Sequence, residues 1–442
     1  MDDARGGSDA WPVPADPGTL GPRIHARAAE LYPVCRSIAG PGLRQTLDII
    51  GREIALDRVE TPSGSAAHDW TVPREWTLRS AWIRDPSGQC VLDAADNNLH
   101  VLNYSIPFHG RLPLEELKAH VFTLPDQPEL IPYRTSYYQP RWGFCMRHAD
   151  FERLPEGEYE ACIEASHGDG AMSHGEHLIR GRSDREVVLS AHICHPSLAN
   201  DNCSGIAVLV ELARTLAGRD LRHSYRFLFA PGTIGALAWL SRNQQGVGRI
   251  DHGLIVSCLG DGGGPTYKRS RRGNAPIDRA MAYVLAAQGP SARCVEFTPD
   301  GYDERQYCSP GYDLPFGSFQ RSAPGSFPEY HTSADNLDFI RPEHLAASHD
   351  MILQAIEILE EDHCPLNLCP MGEPQLGRRN LYGTIGGAGQ SSEIDAIRWV
   401  LNLADGRHSL LDMAERSGLR FRDLARAARR LHAADLLSAP PR

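Results

Sequence analysis

Apolar residues recur along this chain with two periods, and the changes of period mark its organisation. Residues 1–20 are rich in Gly, Pro and Asp and read as a loose tail. Ile24, Ala28 and Leu31, then Leu47, Ile50 and Ile54, fall on apolar stripes that predict helices over 21–38 and 42–56. From about 60 to 165 the helical period gives way to short aromatic and β-branched runs. Residues 76–83, 99–106 and 159–165 read as strands, with a turn at Asp85-Pro86-Ser87-Gly88. From about 176 the two patterns alternate: strands over 186–191, 225–230 and 254–259, helices over 206–216, 234–241, 277–287 and 344–360. Such alternation predicts a parallel or mixed sheet covered by helices on both faces. A Gly- and Pro-rich linker over 365–390 leads to three short helical patterns at 393–403, 409–416 and 422–431. A reduced wing strand at 436–438 completes the outline of a winged helix-turn-helix unit. The expected organisation is therefore N-terminal helices (20–58), an inserted mostly-β domain (59–168), an α/β domain (169–364), the linker, and the winged helix-turn-helix domain (391–442).

At 442 residues the chain is too long for one ordinary core, which agrees with several domains. A net charge of −11 argues against broad electrostatic capture of nucleic acid or an anionic membrane. No run approaches the roughly 18 apolar residues a membrane helix needs, and the acidic start is no secretory signal. The eleven cysteines are odd in number and never spaced Cys-x-x-Cys, so neither a disulfide framework nor a zinc knuckle is expected. A reduced, cytoplasmic protein is the simplest expectation.

One segment carries the chemistry. The apolar strand 186–191 runs into His192, and nine positions later Asp201 precedes a helix. An imidazole at a strand end and a carboxylate at a helix start are how an α/β scaffold fixes a catalytic zinc. His331, in Glu329-Tyr330-His331-Thr332-Ser333-Ala334-Asp335-Asn336, is a third candidate. His195 reads more readily as support for a ligand than as a ligand. Asp261 fits equally a ligand and the turn residue before Gly262-Gly263-Gly264.

These segments, with Asp69 to Trp76, Asp303 to Gly311 and Cys369 to Gly377, resemble the bacterial aminopeptidase-like proteins. The resemblance covers nearly the whole chain after residue 20. It implies a zinc-aminopeptidase-like mixed sheet flanked by helices, an inserted β domain and a C-terminal winged helix. The peptidase core is similar to the co-catalytic zinc aminopeptidases, which use a His, a bridging Asp, a Glu–Glu pair, a further Asp and a final His. By position His192 resembles the first ligand, Asp201 the bridging carboxylate and His331 the last ligand. The place of the Glu–Glu pair reads Ala230-Pro231-Gly232-Thr233-Ile234-Gly235, so Gly232 stands where the general base is expected. Asp261 and Glu304 are candidates for the further carboxylate. Glu304 is also the candidate replacement for the base.

The resulting expectation is a hydrolase with one or two zinc ions that cleaves the amide bond of a small peptide or amino-acid conjugate. Arg305 would clamp a substrate carboxylate, and Arg134 and Tyr137 of the inserted domain would wall the pocket. Two alternatives stand beside it: acyl transfer or cyclisation at a single zinc, and a non-catalytic binding protein. In the last unit Arg420, Arg422, Arg426, Arg429 and Arg430 crowd the last helix and the residues just before it, as in a DNA-reading helix. Seven acidic residues against nine arginines over 391–442 favour a solvated face instead. Nucleic acid is accordingly disfavoured as a partner, leaving a homo-oligomer or a carrier peptide or protein as the roles open to this unit.

Overall fold

The computed structural model describes residues 16–381 and 392–439. They form two compact units, divided at Ile352/Leu353 within the long helix Pro342–Glu361. No helix among them is long and apolar enough to cross a membrane.

The first unit is built on an eight-stranded mixed sheet in the order Asp57–Pro62, Ala171–Ile179, Ser224–Ala230, Glu186–His192, Ile250–Val256, Phe316–Gln320, Thr266–Lys268, Arg293–Val295. The four central strands, 224–230, 186–192, 250–256 and 316–320, are mutually parallel. Glu186–His192 is buried at every position, as a strand covered on both faces must be. The helices Gly205–Leu216, Ile234–Arg242 and Pro276–Ala286 follow the strands at 186, 224 and 250 in chain order. Parallel strands need such crossovers, and ligand sites then gather beyond the strands' carboxyl ends.

Between the edge strand 57–62 and its neighbour 171–179 the chain leaves this sheet and builds a second one. Four antiparallel strands, ordered Cys90–Asp93, Glu75–Arg84, Glu158–Gly168, Phe108–Pro113, pack around their own core of Trp76, Ile83, Leu92, Leu112, Phe144 and Tyr159. The strand expected over 99–106 is absent. Asn97 caps a single helical turn at Asn98–His100 by accepting from Leu99 N, and Tyr104 takes a left-handed φ of 67°. Only isolated bridges remain there, from Val101 to Phe144 and from Asn103 to Thr135. The first helix runs from Pro17 to Leu31, earlier than its stripe suggests, because the Asp16 carboxylate accepts from Gly18 N and caps it. The second stops at Gly51, a poor helix former. Residues 1–15 of the expected tail lie outside the described residues.

The second unit contains the helices Ser392–Leu403, Leu410–Ser417 and Phe421–Ala433. Ser409 and Asp412 form a reciprocal capping box, and Gly418 ends the middle helix at φ 71°. Ile397, Val400, Leu411, Leu424, Ala428 and Leu431 are buried. Leu437 bridges to Asn367 and Asp405 to Leu366, so the start of the expected linker is wing backbone. Residues 382–391 of that linker lie outside the described residues.

One ion-pair network ties three strands of the large sheet. Arg226 reaches Glu186 at 2.7 Å and Glu176 at 2.5 Å, and His174 adds a contact to Glu176. Burial pushes the Glu176 carboxyl up, but His174 and Arg226 outweigh it and lower it to about 2. A depressed folded value contributes stability above the unfolded value of roughly 4.3 and loses it as pH falls toward the folded one. Glu176→Gln should therefore cost about 3 kcal/mol at pH 7. In urea titrations that difference should shrink progressively below about pH 4.

Candidate metal centre

The carboxyl ends of the central strands bring the chemistry together. His192 is the last residue of its strand, in register with Ala230 of the neighbouring one. Asp201 lies in the turn Ala199–Ser204 that opens the helix Gly205–Leu216. One of its oxygens lies 2.8 Å from His192 Nε2. The other lies 3.1 Å from His331 Nε2 and 4.0 Å from His195 Nε2. A carboxylate with imidazoles on both oxygens has the disposition of a bridging ligand. His192, His195 and Asp201 are buried, whereas the His331 side chain keeps 29% of its surface exposed and forms the open rim.

His192 Nε2 is buried and lacks an aligned hydrogen-bond partner despite its closeness to Asp201. Such an orphaned buried atom suits a metal ligand better than a hydrogen-bonding group. Burial pushes Asp201 up, but the imidazoles of His192, His195 and His331 around it hold it well below the usual carboxylate range. Burial, opposed by Asp201 and reinforced by His192 and His331, keeps His195 well below its ordinary value and hence neutral. An ionised carboxylate and a neutral imidazole are the forms that bind metal. Three imidazoles and a carboxylate match the donors zinc prefers.

Supporting contacts fix these groups from behind. The Asp335 carboxylate accepts from Asn200 N at 2.5 Å and Asp201 N at 3.0 Å. Its desolvation, beside Asp201 and Asp261, raises it to about 8 even with those two bonds. Arg36, fully buried, donates to the carbonyls of His195 and Leu31 and to Cys203 Sγ. Tyr133 lays its ring 5.1 Å from both His195 and His331, and its backbone N–H donates to His331 O at 2.7 Å. Pattern reading missed Tyr133 and Arg36; no periodicity or spacing marks either.

The remaining candidates are placed differently. Asp261 is not brought to the imidazoles: its carboxylate accepts from Asn200 Nδ2, Gly263 N, and Ser322 N and Oγ, so it braces the turn that holds Asn200. Glu304 is fully buried with Oε1 2.5 Å from Lys268 Nζ, which makes it an anchor for its loop rather than a base facing substrate. Tyr137 commits its hydroxyl to Tyr133 and Asn103. Arg134 and Arg305 are exposed. At the place of the expected Glu–Glu pair, Gly232 N donates to Cys194 Sγ and Thr233 N to Asp303.

In the second unit four of the five helix arginines are spent in ion pairs. Arg422 grips Glu357 with two nitrogens, and Arg420, Arg429 and Arg430 pair with Asp423, Glu361 and Glu393. Arg426 is exposed.

Removing the Asp335 carboxylate strands two buried N–H groups directly beneath Asp201. Asp335→Ala should lower stability by about 3 kcal/mol in chemical denaturation, and Asp335→Asn, which keeps one acceptor oxygen, by less.

Comparison with known proteins gives the context. The model of a domain of unknown function, DUF4910, matches residues 25–362, and a winged helix-turn-helix model matches residues 363–439. A protein of Clostridium acetobutylicum, named "Putative polysaccharide biosynthesis protein with aminopeptidase-like domain", is 45% identical over 419 residues, 94% of this chain and 96% of that one. A crystal structure titled as a "putative peptidase" from Clostridium acetobutylicum superposes with a TM-score of 0.90 at 42% identity, covering 96% and 97% of the two chains. A zinc aminopeptidase of Bacillus subtilis shares the fold, with a TM-score of 0.57 at 13% identity over 78% of this chain and 96% of its own. The chain thus belongs to the DUF4910 family, an aminopeptidase-like α/β fold carrying a C-terminal winged helix.

Proposed function

We propose that this protein is a zinc-dependent hydrolase acting on the amide bond of a small peptide or amino-acid conjugate. The observation that carries the reading is the buried Asp201 carboxylate faced by three imidazoles, with His192 Nε2 left without an aligned partner. His192, Asp201 and His331 would hold the metal, with His195 beside them. The name of the 45%-identical relative supports an aminopeptidase-like domain.

Bound zinc supplies a Lewis acid for a carbonyl oxygen. The chain's own groups do the rest. Asp335 and Arg36 hold the backbone of Asp201 and His195 still, so the donors need little reorganisation. Tyr133 closes the site over His195 and His331, and the exposed rim at His331 leaves an approach for substrate. Arg134 and Arg305 offer guanidinium groups suited to a substrate carboxylate. None of the eleven cysteines, all among the described residues, is in a disulfide, which suits a reducing compartment such as the cytoplasm. Ion pairing of the helix arginines favours a peptide or protein partner for the winged helix over DNA.

A second reading, acyl transfer or cyclisation, draws on one observation: the loop after the strand 224–230 presents Gly232 and Thr233 and no carboxylate. Without a base to activate water, an internal amine of the substrate becomes a competing nucleophile. Product mass separates the two, since hydrolysis adds water, whereas attack of an internal amine on an amide carbonyl adds none and expels ammonia or an amine.

Protein purified without chelator should carry at least one zinc per chain by elemental mass spectrometry. His192→Ala and Asp201→Ala should each weaken zinc by more than about a hundredfold, beyond the loss from a mere supporting partner. Zinc should also raise the melting temperature of the wild type and of neither variant. A wild type that takes up no zinc even when it is added back would overturn the reading.

A further inference from the structure

Gly232 is not an empty place. Two residues past the strand that lies in register with His192, it brings its Cα against another side chain. A methyl group at position 232 would stand 1.9 Å from Tyr302 Oη and 2.6 Å from its Cζ, so the space for any side chain there is already filled by a phenol. The same phenol ring lies on His192, with centroids 4.0 Å apart and planes tilted by 33°, and is 6.3 Å from His195. Its hydroxyl is 3.9 Å from Cys194 Sγ, the atom that receives the Gly232 N–H.

The loop that delivers this hydroxyl is clamped on both sides. Asp303 accepts from Thr233 N at 2.8 Å and so ties the tyrosine's loop to the glycine's loop. Glu304 pairs with Lys268 and accepts from Tyr302 N at 3.2 Å, while Lys268 also donates to Asp300 O. These contacts are all intramolecular, so the hydroxyl is in place before any substrate arrives.

We infer that Tyr302 is a catalytic residue of the site, its hydroxyl occupying the side-chain place of residue 232 and donating a hydrogen bond to the substrate's carbonyl oxygen. The inference rests on the functional reading above. It gives the site a neutral donor where the resemblance leads one to expect a carboxylate. It also assigns Glu304 and Asp303 as positioning residues that act through Tyr302.

The test uses full-length, zinc-loaded protein, with inorganic phosphate as the tetrahedral oxyanion and calorimetry as the readout. Tyr302→Phe keeps the ring on His192 and removes only the hydroxyl. Its zinc content and melting temperature should match the wild type while phosphate binding weakens about tenfold or more. Gly232→Ala attacks the contact from the other side and should bring the same loss with zinc retained. Phosphate binding unchanged in either variant overturns the inference, as does a zinc-loaded wild type that does not bind phosphate. A wild type that holds no zinc defeats the functional reading itself, so the two failures are told apart.

Discussion

The charge on Asp201 is the constraint around which the first unit is arranged. A lone carboxylate taken out of water costs far more than a domain's net stability. It persists here because imidazoles face both of its oxygens and Asp335 grips the backbone on which it rides. Each partner needs its own support. His192 needs a fully buried strand behind it, His195 needs Arg36 on its carbonyl, and His331 needs Tyr133 on its own. The polar groups form one connected set, and such sets are favourable only when every member is satisfied. His192 Nε2 is the member left over.

That arrangement explains why carboxylates of similar appearance have such different parts. Asp201 faces imidazoles, whereas Asp261 is surrounded by hydrogen-bond donors of a turn and Glu304 by a lysine. What distinguishes them is the company each keeps. Asp303, pushed up by burial against the opposing bond from a single amide, rises to about 7. Asp405, on an exposed turn with two amides and His408 around it, falls to about 2.

Much of the scaffold was legible in the order of residues because its signals are local. The run into His192 announces a buried strand, and the stripes at Ile206–Leu216 and Ile277–Leu285 announce helices whose ends shift by only a residue or so. The mixed sheet follows from the alternation of strand and helix patterns after residue 176, and the winged helix from the three short helical patterns after the linker. The strand expected at 99–106 failed because Asn97 and Tyr104 impose local turn geometry that a run of apolar letters does not reveal. The surroundings of the metal group were less legible for a different reason. Tyr133 and Tyr302 reach it from loops on opposite sides of the sequence, and Lys268 meets Glu304 across 36 positions. No spacing rule connects such residues; only the folded chain does.

The bond from Tyr133 N to His331 O has a consequence for how this scaffold can change over time. The histidines and Asp201 belong to the large sheet and its loops, but the aromatic surface closing over them belongs to a segment with its own sheet and its own core. Most of such a segment can be rewritten or exchanged while the strand that seats His192 stays intact, but the stretch that carries Tyr133 and bonds His331 must keep its backbone. Descendants of one ancestral chain could therefore diverge in what they accept only around that fixed stretch, and the insertion is where both the divergence and the constraint would be recorded.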